Sequence, residues 1–484
     1  MAGPATNQVT QQAPDARGPA TATASAERRA RILTGPIGRT LLDMAAPMVL
    51  GIAAVMLFQI VDTFFVGQLG PRPLAAMGFT FPVALLVYSL SMGMGIGTTA
   101  VVARAIGEGD EAGVRRLTTD ALLLAALSVA SVVAAGLVFQ NQIFAAMGAA
   151  PDLIPMIRSY MTPWFLGVSF LVVPMVGNSA IRATGDTKTP SLVMIVAGGV
   201  NAVLDPLFIF GLGPVPALGL QGAAVASIIS WLVTFGAAAY FLGHRERMIT
   251  VARTKLGEIW ASWRKIARVA APSAAMQMLV PLSGAVMIRF VASHGEAAVA
   301  AVGVGIRIEY QARVGVMALS TALTPFVAQN LGARNCERLR GATRFSVAAA
   351  MVWGAGTAAL LMVFAAPIAR LFNDDPAVLD VTTDFLLVLP PSYGLFGSAM
   401  LMGTMFVAAD RPLRGAAINA ARMIVFAIPL AALGSTLWGV LGIFGAMTTA
   451  NVAVGLIALA MVWRHIARTE RAFDAETLAP VPTG

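Results

Sequence analysis

The sequence predicts an all-α polytopic membrane protein, with twelve transmembrane helices in two pseudo-symmetric six-helix bundles around a central cleft. Three observations support this fold class. The chain of 484 residues is 57% hydrophobic and only 12% charged, with a mean hydropathy of +0.77. Apolar runs long enough to cross a bilayer recur along it, and its two halves repeat each other. No soluble globular protein of this size has such a composition.

The apolar runs define the predicted spans. A bilayer core of about 30 Å needs a helix of about 20 apolar residues. Twelve runs meet that length, at about 43–66, 74–102, 117–140, 156–180, 190–211, 220–243, 267–292, 298–328, 343–367, 380–407, 413–434 and 440–464.

Lys and Arg set the predicted orientation. They cluster before the first span and in alternate connections, at Arg28, Arg29, Arg31, Arg39, Arg115, Arg116, Arg182, Lys188, Arg245, Arg247, Arg253, Lys255, Arg264, Lys265, Arg268, Arg334, Arg338, Arg340, Arg411 and Arg414. The connections on the other side contain few basic residues. This is the positive-inside pattern, so both termini are predicted to be cytoplasmic and the net charge of +9 does not indicate nucleic-acid binding.

The same pattern gives the predicted domains. Residues 1–35 and 467–484 are polar ends without an apolar core, predicted to be disordered cytoplasmic tails. An amino-terminal lobe (36–243) and a carboxyl-terminal lobe (267–466) flank a linker at 244–266. Trp260 and Trp263 among basic residues leave two interpretations of that linker, an amphipathic segment on the inner leaflet or a solvated connection.

The internal repeat is the strongest organisational signal. At a constant offset of 225 residues, Pro, Gly, Ala and Thr recur without a gap for sixty residues. The matched pairs are Pro47 and Pro272, Gly70 and Gly295, Gly78 and Gly303, Thr99 and Thr324, Ala103 and Ala328, and Gly107 and Gly332. Six helices therefore repeat as six helices, related by an axis along the membrane normal, which is typical of alternating-access transporters.

Two acids lie inside predicted spans of the first half. Asp62 falls deep in the first span, and Asp205 falls in the fifth span four residues after Asn201, on the same helix face. Pro206 removes one helical hydrogen bond beside the second acid. An acid at membrane depth costs roughly 2.5–3.5 kcal/mol, which favours a functional role. With the hydroxyl of Ser227 these oxygens suit protons or a small hard cation; the alternative is hydrogen bonding that only packs helices.

Several motifs resemble one transporter family. They are FVGQLG at 65–70 followed by LAAMGF, IRATGDTKTP at 181–190, NAVLDPLFIFG at 201–211, GLQGAAVAS at 219–227 and VAQNLGA at 327–333. Together they resemble the multidrug and toxic compound extrusion (MATE) transporters, within them the branch named for the DNA-damage-inducible protein F. The resemblance covers about residues 35–465.

The resemblance implies a coupling site in the amino-terminal lobe. Its positions match Asp62, Asn201, Asp205 and Ser227. It would bind H⁺ or Na⁺ and involve bending of the first span at Pro47. The second half has no acids at the repeated positions. It has Glu309 between Arg307 and Arg313, which is either a substrate or cation site or an internal ion-pair cluster. Arg422 is predicted to lie near a span end, where snorkelling suffices.

The predicted function is therefore secondary antiport in the bacterial inner membrane. Cationic or amphipathic drugs would leave in exchange for inward H⁺, or Na⁺, by alternating access. The first alternative is a flippase for lipid-linked oligosaccharides from the same superfamily. The chain has no Walker motif and one cysteine, so neither ATP-driven transport nor a multi-cysteine metal site is expected. A membrane-embedded enzyme acting on polyprenyl phosphates would need clustered acids in cytoplasmic loops or a set of His and Asp residues, and the sequence has neither. No cofactor is implied, and nothing requires more than a monomer in contact with membrane lipid.

Overall fold

The computed structural model describes residues 19–211, 215–250 and 255–478. The first half contains helices α1 (Pro19–Thr34), α2 (Ile37–Gly67), α3 (Pro71–Glu108), α4 (Glu111–Ala146), α5 (Ile154–Gly167), α6 (Ser169–Ala183), α7 (Lys188–Pro206) and α8 (Leu220–Tyr240). The second contains α9 (Leu256–Ala292), α10 (Glu296–Ala312), α11 (Val314–Gly332), α12 (Cys336–Val363), α13 (Ala365–Arg370), α14 (Pro376–Val388), α15 (Tyr393–Ala408), α16 (Pro412–Ala420) and α17 (Ile428–Leu478). Short π-helical turns cover Leu207–Gly211, Phe241–Arg245 and Ala421–Ala427, and a 3₁₀ turn covers Pro390–Ser392.

The predicted all-helical, twelve-span membrane fold is confirmed. Among the described residues, ten helical stretches are long and apolar enough to span, and the bent pair α5 and α6 makes eleven. The last stretch, Pro412–Ala472, is broken by non-helical backbone at Trp438 and Gly439, which divides it into two spans. Both described ends of the chain therefore lie on one side, here called the terminal face, with the turns at 109–110, 184–187, 246–250, 333–335 and 409–411.

The repeat is visible in the backbone. Gly70 and Gly295, an aligned pair, precede α3 and α10 with φ of 104° and 103°. Gly109 and Arg334, also 225 apart, both adopt left-handed φ, at 80° and 55°. The next residue of each turn, Asp110 or Asn335, caps the helix that follows. The same turn is thus built twice, with Arg334 accepting a conformation that usually favours glycine.

Apolar packing divides the described residues into three large cores and one small cluster of Ala100, Val269 and Val407. One core is shared by both halves near the terminal face, where Met44 and Val102 meet Leu319 and Phe326. A second core belongs to the first half together with the start of α9, and a third to the second half alone. The two ends of α2 follow this division, since Leu41 near its start is fully buried whereas Phe64 near its end is 60% exposed. The cleft between the halves is therefore closed at the terminal face.

The expectation of a disordered tail at 1–35 is wrong for residues 19–34, which form α1. Ile32 is fully buried in the shared core, and its carbonyl accepts hydrogen bonds from Asn330 and Arg338 at 3.2 Å each. Arg28 pairs with Glu246 at 2.7 Å. These contacts stabilise α1, whose polar, alanine-rich composition by itself gives no indication of an ordered helix. Residues 1–18 lie outside the described part of the chain.

The other two boundary predictions also need correction. The linker predicted at 244–266 is shorter, because α9 begins at Leu256 and continues into the seventh span. Trp263 donates to the carbonyl of Asp120 at 2.9 Å, while Trp260 is 67% exposed, so the two tryptophans have different roles. The tail expected to be disordered from 467 continues α17 to Leu478, where Glu470 pairs with Arg340.

Candidate functional site

The structure brings three of the predicted coupling residues together in the first half. Asp62 lies in the outer part of α2, and Asn201 and Asp205 lie on successive turns of α7. The amide of Asn201 donates to Asp205 at 3.2 Å, and the carboxyl groups of Asp62 and Asp205 lie within hydrogen-bonding range of each other. Asp205 is fully buried. Two spans distant in sequence thus place two acids side by side.

Each acid of this carboxyl pair has one oxygen atom without a hydrogen-bond donor. The Oδ1 atom of Asp62 and the Oδ2 atom of Asp205 are buried and have no partner among the described residues. Two carboxylates at this spacing repel each other in a medium of low dielectric constant, unless a proton or cation lies between them. The arrangement can therefore take up one positive charge and release it when the helices separate.

Tyr160 is a member of this site that sequence reasoning missed. It lies in α5, is 8% exposed, and its phenol interacts electrostatically with both carboxyl groups. The one signal was a hydroxyl-bearing ring inside an apolar run. Ser227, by contrast, makes no hydrogen bond to the acids among the described contacts, and its carbonyl accepts from Ser230 on its own helix.

Two prolines shape the helices that carry the acids. Pro206 ends α7, and the chain continues as a π-helical turn over Leu207–Gly211, as predicted from the missing backbone donor. Pro47 lies inside α2, which passes through it without interruption. The carbonyl of Pro47 accepts a hydrogen bond from Ser191 of α7. Bending of the first span at Pro47 stays a prediction.

The second half contains a charged cluster at three helix interruptions. Glu309 and Arg313 lie where α10 meets α11, and their side chains pair at 3.5 Å. Arg313 also rests on the rings of Tyr310 and Phe396, with its guanidinium carbon 4.7 and 5.3 Å from their centres. Arg307 is exposed and forms no ion pair in the described part of the molecule. Glu309 and Arg313 thus form the internal ion pair that was one of the two interpretations of Glu309, and the other interpretation, a substrate or cation site, stays a prediction.

Arg422 belongs to this cluster, which corrects its placement at a span end. It lies in the π-helical turn of the eleventh span, 4.8 Å from the centre of the Phe396 ring, and its charge interacts with those of Glu309 and Arg313. Its guanidinium donates to Asn451 at 3.2 Å, and Asn451 donates in turn to Ser392 at 2.9 Å. The position of Arg422 about ten residues inside the predicted span 413–434 was the sequence signal that indicated a buried site.

The GDTKTP loop forms a buried polar turn at the terminal face. Asp186 accepts from the backbone and hydroxyl of Thr189 at 3.0 and 2.7 Å, and from Arg245 at 2.8 Å. Burial raises the pKa of Asp186, but these hydrogen bonds and the charges of Arg245 and Arg28 outweigh burial and lower the pKa below 3.8. The loop holds the end of α8 against the start of α7.

Comparison with known proteins matches most of the chain. The sequence model of the MatE family matches residues 47–207 and 272–433. The chain is 40% identical to the FAD transporter of Shewanella oneidensis over 92% of its own length and 99% of that protein. It is 24% identical to the multidrug export protein MepA of Staphylococcus aureus, over 88% of this chain and 94% of that one.

Solved structures agree with the sequence comparison. The bent form of the Vibrio cholerae MATE transporter VcmN superposes with a TM-score of 0.86 at 29% identity. The superposition covers 93% of this chain and 99% of that one. The predicted resemblance to MATE transporters is confirmed, and with it a transport protein rather than an enzyme.

Proposed function

Because this chain belongs to the MatE family of membrane transporters, we propose that it is a secondary antiporter that exports a flavin nucleotide in exchange for inward H⁺. The observation that carries the coupling half of this proposal is the carboxyl pair of Asp62 and Asp205, in which each acid has one buried oxygen without a hydrogen-bond donor. Protonation on the open side of the cleft removes the repulsion between these acids. Release of the proton on the other side resets the pair.

The cleft supports a direction for the cycle. Taking the terminal face as cytoplasmic, as the positive-inside pattern predicts, the described state is closed to the cytoplasm. Export would load cargo in the opposite state and release it in this one. Each proton that enters adds about 2.3 kcal/mol per 100 mV of membrane potential, before any pH gradient. An anionic cargo leaving the cell moves charge in the direction that an inside-negative potential favours.

The relative named an FAD transporter supports the cargo half. It shares 40% identity over almost its whole length, whereas the relative named a multidrug export protein shares 24%. The second candidate cargo is the class of cationic or amphipathic drugs predicted from the sequence. Membership of the branch named for the DNA-damage-inducible protein F stays a prediction, as do Na⁺ as the coupling ion and a monomeric state.

Reconstituted transport tests both halves. Purified protein in liposomes with an acidic interior should accumulate external FAD, because outward proton flow drives cargo inward in this geometry. Asp62→Asn and Asp205→Asn should each reduce that uptake to background. Asp152→Asn is the matched control, since Asp152 is 68% exposed in a loop ion pair, and it should transport normally.

The outcomes separate ion, site and cargo. Uptake driven by a Na⁺ gradient alone would show that Na⁺ rather than H⁺ is the coupling ion and would leave the proposed site unchanged. Full proton-driven uptake by both acid variants would overturn the coupling mechanism. Proton-driven uptake of ethidium but not of FAD would establish the drug as cargo, and transport of neither would favour the flippase alternative.

A further inference from the structure

The charged cluster of the second half has an uncompensated positive charge. Arg313 and Arg422 rest against the same ring of Phe396, and only Glu309 pairs with either of them in the described part of the chain. The Nε atoms of both arginines are buried without an acceptor. A buried guanidinium is costly unless an anion pairs with it. The two guanidinium groups therefore have donors available for an anionic ligand from outside the protein.

The surrounding backbone supports a ligand site. Three spans are interrupted next to the cluster: between α10 and α11, at the 3₁₀ turn before α15, and at the π-helical turn that contains Arg422. Interrupted helices inside a membrane occur where they line a cavity or a binding site. None of the α10 residues enters the shared core, and Tyr310 is 41% exposed, so this side of the cluster is not covered by other helices.

The chemistry of the cluster selects a class of ligand. Guanidinium groups bind phosphate oxygens through two parallel hydrogen bonds, and the rings of Phe396 and Tyr310 offer surface for a flat aromatic system. We infer that Arg313 and Arg422, held against Phe396, form the subsite that takes the pyrophosphate group of an exported flavin dinucleotide. This inference rests on the proposed cargo and is independent of the proposed coupling ion.

Binding to the purified full-length protein tests the subsite. Flavin fluorescence anisotropy would compare FAD with riboflavin, which has the same ring system and no phosphate. The wild-type protein should bind FAD more tightly. Arg422→Met and Arg313→Met should each weaken FAD binding by about tenfold or more and leave riboflavin binding within about twofold. Arg289→Met, at an exposed position on α9, is the control and should change neither affinity.

Thermal stability distinguishes this role from a structural one. Arg422 forms no direct ion pair with the described residues, and its removal breaks one hydrogen bond, to Asn451, so Arg422→Met should lower the melting temperature by no more than about 4 °C. A larger drop in melting temperature with equal loss of both flavins would make Arg422 a packing residue. If that variant does not fold, Arg422→Lys keeps charge and length, and it should weaken FAD several-fold because lysine cannot bind bidentately.

Three results would overturn the subsite. They are unchanged FAD affinity in both arginine variants, equal affinity of the wild-type protein for FAD and riboflavin, and no competition by inorganic pyrophosphate. None of these affects proton coupling, which the acid variants test separately. Failure to bind any flavin would instead remove the proposed cargo, and the subsite with it.

Discussion

Gly107 and Gly332, which the internal repeat pairs, form a single crossing between the two halves at the terminal face. A Cβ atom on Gly107 would clash with the backbone of Gln329 in α11, and one on Gly332 would clash with the backbone of Arg104 in α3. The helices α3 and α11 therefore touch backbone to backbone. Gln329 also joins α11 to α6 by donating to the carbonyl of Ala183 at 2.7 Å. The closed state of the cleft therefore requires glycine, which has no Cβ atom, at both positions.

Gly107→Ala should favour opening at the terminal face. Overpacking of this kind destabilises the closed state by about 1–3 kcal/mol. The open state is unaffected, so its population relative to the closed state should rise roughly fivefold or more. Cys336, the single cysteine, packs partly against the shared core and should react faster with a maleimide. Gly303→Ala is the control, because nothing lies within 4 Å of its Cβ position. An unchanged reaction rate in Gly107→Ala would contradict this account.

Removing the buried side chain of Ile32 should detach α1. Ile→Ala in a core costs about 2–5 kcal/mol, and here it weakens the contact of α1 with both halves. The expected results are faster proteolysis within residues 19–34 and faster labelling of Cys336. Ile249→Ala, at a position 39% exposed, should change neither rate. Resistance to protease equal to that of the wild type would show that α1 holds through its polar contacts alone.

Asp186→Asn should destabilise the protein by about 1–3 kcal/mol, because it breaks a buried charged network. The pKa of Asp186 is lowered in the folded state, so its stabilising effect is complete above about pH 4 and is lost as pH falls through the folded value. The difference in melting temperature between wild type and variant should therefore be constant near neutral pH and shrink below about pH 4.

Asp410→Asn provides the matched control, since Asp410 lies 224 residues after Asp186, in the corresponding turn of the second half. Its carboxyl is 41% exposed and lies 3.9 Å from Arg268. Exposed pairs of this kind contribute about 0–1 kcal/mol. Equal destabilisation by the two variants would mean that burial of the first loop has no energetic consequence.

Glu309→Gln should tighten FAD binding. The carboxylate of Glu309 pairs with Arg313 at 3.5 Å and competes with any anionic ligand for its guanidinium. Its removal should raise affinity about threefold to tenfold, the effect of about 1 kcal/mol, and leave riboflavin affinity unchanged. Weaker FAD binding in this variant would instead make Glu309 a positioning residue that holds Arg313 in place, and Glu309→Asp should then restore part of the affinity.

The sequence determined the fold class, the spans, the repeat and the acids. Apolar runs of span length and a constant offset of 225 residues depend only on local composition and order, because a bilayer imposes one length scale on every helix that crosses it. Asp62 and Asp205 were found for the same reason, since an acid inside such a run is exceptional wherever its partner lies.

Only the tertiary structure decided which side chains meet. The electrostatic interaction of Tyr160 with the acid pair joins the fourth span to the first and fifth, and the cluster around Phe396 joins the eighth, tenth, eleventh and twelfth. The same applies to α1, whose composition resembles that of a tail until Ile32 is placed in a core built mainly from other helices. Contacts between distant helices depend on how whole faces pack, and no local pattern of residues encodes that packing.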